Sequence, residues 1–275
     1  MKFKSPLEIY KILPKTNCRH CDLATCMAFS AAVFKAQKRL ADCPHLDKDT
    51  VGQFEEGPGA QSSVERSRED SLRALKEKIS KIDLLSRAER MGAESSGENG
   101  KIKIKCLGKE FEVDAEGNLT SQCHTHVWFA IPLLNYLLYG AGKDPTGEWV
   151  PFRELKNGTS WNGLFEQRCE KPLKKIADDH PELFESLINI FSGTLADANT
   201  PYNLRANLKT DVSVMLFPFP KIPIMICYWR PEDGLESELH LFIDKTAEDN
   251  LTVEHIYSLG MGIASMMEKI MLKHT

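Results

Sequence analysis

Apolar positions recur at three- and four-residue steps over several long stretches of the chain. From Val64 to Met91 they fall at Leu72, Leu75, Ile79, Ile82 and Leu85, with Glu and Lys or Arg alternating between them, which predicts one long amphipathic helix. From Val253 to Lys273 the steps run through Val253, Ile256, Gly260, Ile263, Met267 and Ile270, a closing helix whose methionines fill core space. Thr125 to Gly140 is apolar and ends in Gly-Ala-Gly, which predicts a helix with a glycine cap. Shorter helices are predicted within residues 1–17, with Leu7, Ile9, Tyr10 and Leu13 turned inward, and from Ala24 to about Ala41, with Phe29, Val33, Ala36 and Leu40 on one stripe. Trp161–Arg168 and Leu173–Asp179 read as two helices divided by Pro172, and Pro181 opens another that reaches Phe191.

Elsewhere the period changes to two. KIKIKCL and KEFEVDA alternate around Gly108-Lys109, a β-hairpin pattern closed by a turn at Asp114–Gly117. VSVMLF, IPIMICYW and SELHLFID are three further strands, with Pro218, Pro220 and Pro223 marking edges or turns. Two runs break the pattern altogether, Gly57–Ser63 and Gly92–Gly100. The expected organisation is α+β: a small helical domain over residues 1–56, a linker over 57–63, and a larger domain of helices and antiparallel strands over 64–275 that opens with the long amphipathic helix.

Composition narrows the function classes. An apolar share of 42% supports a real core. A net charge of -4 argues against a nucleic-acid surface. The longest apolar run, Val127 to Leu138, is too short to span a membrane and holds Pro132 and Asn135, and the first residues lack the apolar stretch of a signal peptide. A cytoplasmic protein with no membrane partner is expected. Eight cysteines without a disulfide-like framework fit a reducing compartment.

Half of those cysteines form the densest chemistry in the chain. Cys18, Cys21, Cys26 and Cys43 read C-x2-C-x4-C-x16-C, with Pro44 after the last. Three thiolates on one tight loop and a fourth returning after a helix suit the corners of a cubane 4Fe–4S cluster. Structural zinc also takes four thiolates but more often pairs two C-x2-C knuckles. A c-type haem needs His directly after the second cysteine, where Asp22 stands. His20 reads as an exposed loop residue. Lys35, Lys38 and Arg39 read as a solvated helix face, or as a basic rim where a redox partner protein docks.

LPKTNC, the C-x4-CMAF step and the closing DCP resemble the iron–sulfur domain of the large subunit of the corrinoid/iron–sulfur protein of acetyl-CoA synthesis, a module also found in an electron-bifurcating membrane complex. The resemblance covers about a sixth of the chain. It implies a 4Fe–4S cluster on the same four cysteines. Arg19-His20 departs from that family, which tends to place a glycine early in the loop. From about Lys101 to Leu272, NYLLYGAG, PTGEWVPFRELKNG and LFIDKTAEDNL are similar to an uncharacterised domain family of anaerobic microbes, some of whose members carry the same cysteine module in front. That resemblance implies an α+β fold and an anaerobic setting, and it supplies no catalytic residues.

The larger domain shows no G-x-S-x-G elbow, no phosphate loop and no G-x-G-x-x-G after a strand. Asp178-Asp179-His180 starts a corrinoid-type signature but has Leu183 where glycine is required. Cys123-His124-Thr125-His126 places a thiolate and two imidazoles before an apolar helix, so Cys123, His124 and His126 are candidates for a second cofactor, haem or corrinoid, while Thr125 equally suits a helix cap. Cys106, Cys169 and Cys227 read as buried thiols. The leading expectation is an iron–sulfur electron-transfer or accessory protein of anaerobic metabolism. The alternatives are a redox enzyme or sensor whose larger domain binds haem, corrinoid or another small molecule, and an interaction module in which the metal serves only as a staple.

Overall fold

The computed structural model describes residues 3, 5–34, 38–47, 50–51, 63–97, 100–121, 127–181, 191, 194–195 and 210–271. The fold is α+β, and the chain divides into two compact units, Met1–Ser71 and Leu72–Thr275. The linker expected at 57–63 and the helix expected from Pro181 to Phe191 lie almost wholly outside the described residues.

In the first unit, α1 (Pro6–Ile12) opens with proline, whose missing N–H costs nothing at a helix start. Ile9 and Leu13 pack with Phe29, Val33 and Leu40 around the buried cysteines. Leu7, expected inward, is 58% exposed, because it stands two residues from Ile9 and so on the opposite side of the helix. α2 (Cys26–Phe34) is shorter than the expected Ala24–Ala41. Residues 35–37, with Lys35 and Ala36, lie outside the description. The chain then makes a single 3-10 turn, Leu40–Asp42, with the Arg39 N–H donating to the Asp42 carboxylate at 2.8 Å. Lys38 pairs with Asp22 at 3.5 Å and Arg39 with Asp42 at 3.1 Å, so neither described member of the basic rim stands without a nearby acid.

α3 (Ser63–Ile79) runs across the boundary between the units; the second unit takes its last eight residues, from Leu72, and then α4 (Leu84–Ala88). The single helix expected over Val64–Met91 is therefore two. Asp83 takes the N–H groups of Leu85 and Ser86 on its carboxylate, starting a new helix where the periodicity alone continues the old one. Leu85, expected to join the stripe, is exposed.

A four-stranded antiparallel sheet follows, β1 (Glu94–Ser95), β2 (Ile102–Cys106), β3 (Lys109–Val113) and β4 (Leu119–Thr120), in that spatial order. β2 and β3 form the expected hairpin, with Ile102, Ile104 and Cys106 on its buried face. The second sheet has the order β5-β9-β8-β7-β6, from β5 (Trp149–Pro151), β6 (Thr194–Leu195), β7 (Val212–Phe219), β8 (Ile222–Trp229) and β9 (Glu238–Asp244). All three strands expected from Asp211 onward are present. Pro220 lies in the turn between β7 and β8, as expected, whereas Pro218 and Pro223 lie inside β7 and β8, neither of which is an edge strand. These two prolines sit where the register between Leu216 and Phe219 shifts, a bulge that tolerates the missing N–H groups.

Helices α5 (Val127–Tyr139) and α9 (Val253–Met271) pack on each other, and Gly262 makes this possible: a Cβ there would fall 2.0 Å from the Trp128 ring. α6 (Gly158–Phe165) runs through a π-helical turn, Glu166–Glu170, into α7 (Lys171–Asp179). Pro172 does not divide these elements. It lies in the first turn of α7, where the π turn has already displaced the usual hydrogen bonds.

The loop from Gly140 to Glu148 is held by two buried polar side chains. Asp244, at the end of β9, accepts the N–H groups of Thr146 at 3.0 Å, Gly147 at 2.6 Å and Thr246 at 3.0 Å, and the Thr246 hydroxyl at 2.7 Å. Asn250, in α8 (Ala247–Asn250), accepts from the Lys143 N–H and donates to the Lys143 carbonyl. Among the described residues no helix is long and apolar enough to cross a membrane.

Candidate metal centre

All four motif cysteines line one cleft in the first unit, together with Pro14, Asn17, Arg19, Leu23, Thr25, Phe29 and Pro44. Cys21, Cys26 and Cys43 are buried, and Cys18 is partly exposed. Cys26 opens α2, where the Asn17 side chain accepts its N–H at 2.8 Å and Thr25 caps Ala28 at 3.0 Å. Its side chain therefore lies at the positive end of a helix dipole. Cys43 follows the 3-10 turn, its N–H bonded to the Leu40 carbonyl at 3.0 Å.

The loop that brings Cys18 and Cys21 into the cleft is backbone-strained. Lys15, Asn17, Arg19 and Asp22 all have positive φ, between 50° and 66°. L-residues take this conformation at a cost, and clusters of it mark places where surrounding structure imposes a shape for function. Alternation of left-handed with ordinary residues is also how a backbone builds concave nests of N–H groups for anions and iron–sulfur clusters. Hydrogen bonds from the His20 N–H and the Thr16 hydroxyl hold the Cys18 thiol below its ordinary pKa, toward the thiolate. Arg19 at φ 66° stands at the glycine departure noted in the sequence. Arg19→Gly should accordingly leave stability equal or higher, by up to about 0.5 kcal/mol, because relief of the left-handed strain outweighs the greater freedom of the unfolded chain. Urea unfolding of the two proteins, followed by circular dichroism, checks this; a loss of more than about 1 kcal/mol would show that the Arg19 side chain itself supports the loop.

His20, expected in the loop, is exposed, and the structure adds a residue that the sequence does not single out. His45 lies two residues past Cys43, and its Nε2 is 3.0 Å from His20 Nδ1, with the rings stacked at 5.2 Å. The donor atoms of Cys18, His20 and His45 all lie within 4.8 Å of one another. The pairing joins residues 25 apart, which no local pattern encodes.

Of the other candidates, Cys123, His124 and His126 lie outside the described residues. Cys106, Cys169 and Cys227 are buried, as expected, and burial pushes all three thiols up, that of Cys227 to about 11. They are inert packing groups. In the second unit an open cleft of about 360 Å³ is lined by Gly92, Ile104, Gly108, Phe217 and Pro220, with Glu94, Lys103, Lys105 and Glu110 supplying charge.

A family profile described as "Putative Fe-S cluster" matches residues 13–45, the segment that holds all four motif cysteines. A second profile, described as "Domain of unknown function (DUF3786)", matches residues 83–266. The chain belongs to the DUF3786 family. Ahead of its DUF3786 region it carries an iron–sulfur segment, and curated relatives match that part alone. It is 51% identical over 49 residues to the acetyl-CoA decarbonylase/synthase complex subunit gamma of Methanosarcina acetivorans, covering 18% of this chain and 10% of the relative. The same subunit of Archaeoglobus fulgidus is 47% identical over 49 residues, again 18% of this chain and 10% of the relative. That of Methanopyrus kandleri is 35% identical over 52 residues, 19% of this chain and 11% of the relative. The DUF3786 chain thus spans about a tenth of the length of the curated relatives it matches. No solved structure matches it. These findings support an iron–sulfur cluster and metal binding; none of them brings a haem to the chain.

Proposed function

We propose that Cys18, Cys21, Cys26 and Cys43 hold one 4Fe–4S cluster and that the chain is an accessory protein of anaerobic metabolism that relays electrons through it to or from a redox partner protein. The observation that carries this reading is the convergence of all four thiols on one cleft, three of them buried, around a loop whose strained backbone gives way to a helix start. When bound, the cluster supplies reversible one-electron transfer. The chain's own contribution is to deliver the thiolates and to exclude solvent from three of the four corners. A mononuclear zinc would instead draw its four donors to within about 4 Å of one another. Among the described residues, the group of His, Cys, Asp or Glu donors within 4.8 Å of one another is Cys18, His20 and His45, which holds one of the four motif cysteines.

The anaerobic setting rests on the kinship of a 49-residue stretch in the N-terminal part with subunits of acetyl-CoA decarbonylase/synthase complexes, and those names also support a protein partner for this chain. We place a cluster domain at residues 1–56 and the α+β domain at 64–275. Protein made and purified without oxygen should be brown, hold about four irons and four sulfides per chain, and bleach on addition of dithionite. One zinc per chain with no sulfide would overturn the assignment.

A second reading, in which the DUF3786 region binds a small molecule that the cluster reduces, is favoured by the cleft beside β2 and β3. Its four charged lining residues suit a polar molecule rather than an apolar macrocycle such as haem.

A further inference from the structure

The four corners of the cysteine site are not alike. Cys21, Cys26 and Cys43 are buried, whereas Cys18 is partly exposed and shares its surroundings with two imidazoles. His20 comes from the same loop, between Cys18 and Cys21, and His45 from just beyond Cys43-Pro44, so the two chain segments that build the site each bring one imidazole to the same corner. The rings stack at 5.2 Å and share a hydrogen bond of 3.0 Å, and the nitrogen and sulfur donors of all three residues fall within 4.8 Å. Both histidines are exposed, so the stacked pair is not enclosed by the core. Among the described residues, the group of three or more such donors within 4.8 Å of one another takes in Cys18 and none of the other three thiols. The Asn17 side-chain oxygen is already committed to the Cys26 N–H.

We infer that Cys18 occupies an exchangeable corner, at which His20 or His45 can ligate iron through an imidazole nitrogen in place of the Cys18 thiolate. This deepens the cluster reading above and rests on it. Imidazole is an accepted ligand for iron in such centres, and exchanging a charged thiolate for a neutral nitrogen raises the reduction potential. The chain would then hold its cluster through loss of one thiolate ligand, with a changed potential, at a single corner.

The test uses the full-length chain made without oxygen in five forms: the parent, Cys18→Ala, Cys26→Ala, His20→Ala/His45→Ala, and Cys18→Ala/His20→Ala/His45→Ala. Iron and sulfide are counted, and pulsed electron paramagnetic resonance of the dithionite-reduced proteins looks for nitrogen coupled to the cluster. The expected result is that Cys18→Ala keeps more than about half of the parent's iron and sulfide, shows a nitrogen coupling absent from the parent and titrates at a more positive potential. The double histidine variant keeps its full complement, while the triple variant and Cys26→Ala fall to about a tenth or less. Loss of the cluster from Cys18→Ala as complete as from Cys26→Ala overturns the inference. So does a triple variant that retains as much as Cys18→Ala, because the imidazoles would then be irrelevant. A parent that binds no cluster overturns the cluster reading itself, and the inference with it, so the two failures are distinct.

Discussion

Cys26→Ala, made and purified without oxygen, should hold about a tenth or less of the parent's iron and sulfide, and its first 50 or so residues should lose most of their amide protection. Cys26 is buried, its backbone N–H is fixed by Asn17, and its thiol stands at the first turn of α2. Alanine removes a thiolate at the one corner where a helix start favours negative charge, and no imidazole or carboxylate among the cleft's lining residues replaces it. The fall in protection follows from the size of the apolar core. Apart from the cysteines, its fully buried members are Ile9, Leu13, Phe29, Val33 and Leu40, too few to order a segment that also bears four left-handed residues. Metal binding is therefore expected to supply much of the folding free energy of this unit. Iron and sulfide analysis with hydrogen exchange measures both effects. Cys106→Ala is the matched control, since Cys106 packs on the buried face of β2 in the other unit, and it should keep its full iron content. Equal loss in both variants, or full retention in Cys26→Ala, would remove Cys26 from the site.

Asp244→Ala should destabilise the second unit by about 3–4 kcal/mol, lowering the urea midpoint of its unfolding transition. The side chain is fully buried and receives three backbone N–H groups and a hydroxyl. Alanine leaves those donors facing a void, and each buried orphan costs about 1–3 kcal/mol. Asp244→Asn keeps one acceptor oxygen and should lose about half as much. A loss below about 1 kcal/mol in Asp244→Ala would mean that water replaces the carboxylate without difficulty. The effect also explains why PTGEW and LFIDKT stand out in the sequence without reading as chemistry. They are two halves of one structural joint, and Asn250 extends it to Lys143.

The hairpin, the three long strands of the second sheet and the helices α5 and α9 were legible because each buries one face, or all of itself, over many residues, so that period and partner agree. Where a single side chain redirects the backbone, periodicity is blind to it. The stripe from Leu72 to Leu85 continues across Asp83, yet two N–H groups bonded to that carboxylate end one helix and begin another. Pro172 reads as a break only if the turn before it is α-helical, and here it is a π turn. The four cysteines were visible from spacing alone. The histidine pair was not, because an exposed contact between residues 20 and 45 leaves no apolar pattern behind. Asp244 was hidden for the opposite reason: a buried acid at the end of a strand resembles an ordinary polar terminus until its partners, about a hundred residues earlier, are known.

The strand order of the second sheet also dictates an order in time. β7, β8 and β9 are consecutive antiparallel neighbours and can zip together as soon as they are made. β5 pairs with β9, which lies about ninety residues further along, through Trp149–Asp244, Val150–Ile243 and Pro151–Phe242. At roughly 5–20 residues per second of synthesis, β5 waits on the order of 5–20 s for the strand that receives it. During that wait it is an apolar segment with unused ladder groups, the kind of template that recruits wrong neighbours. Its brevity, three residues ending in a proline that cannot donate, keeps that template small. Docking of β5 onto β9, locked by the Asp244 bonds to Thr146 and Gly147, is thus expected to come late in folding, closing the edge of a sheet whose interior is already set.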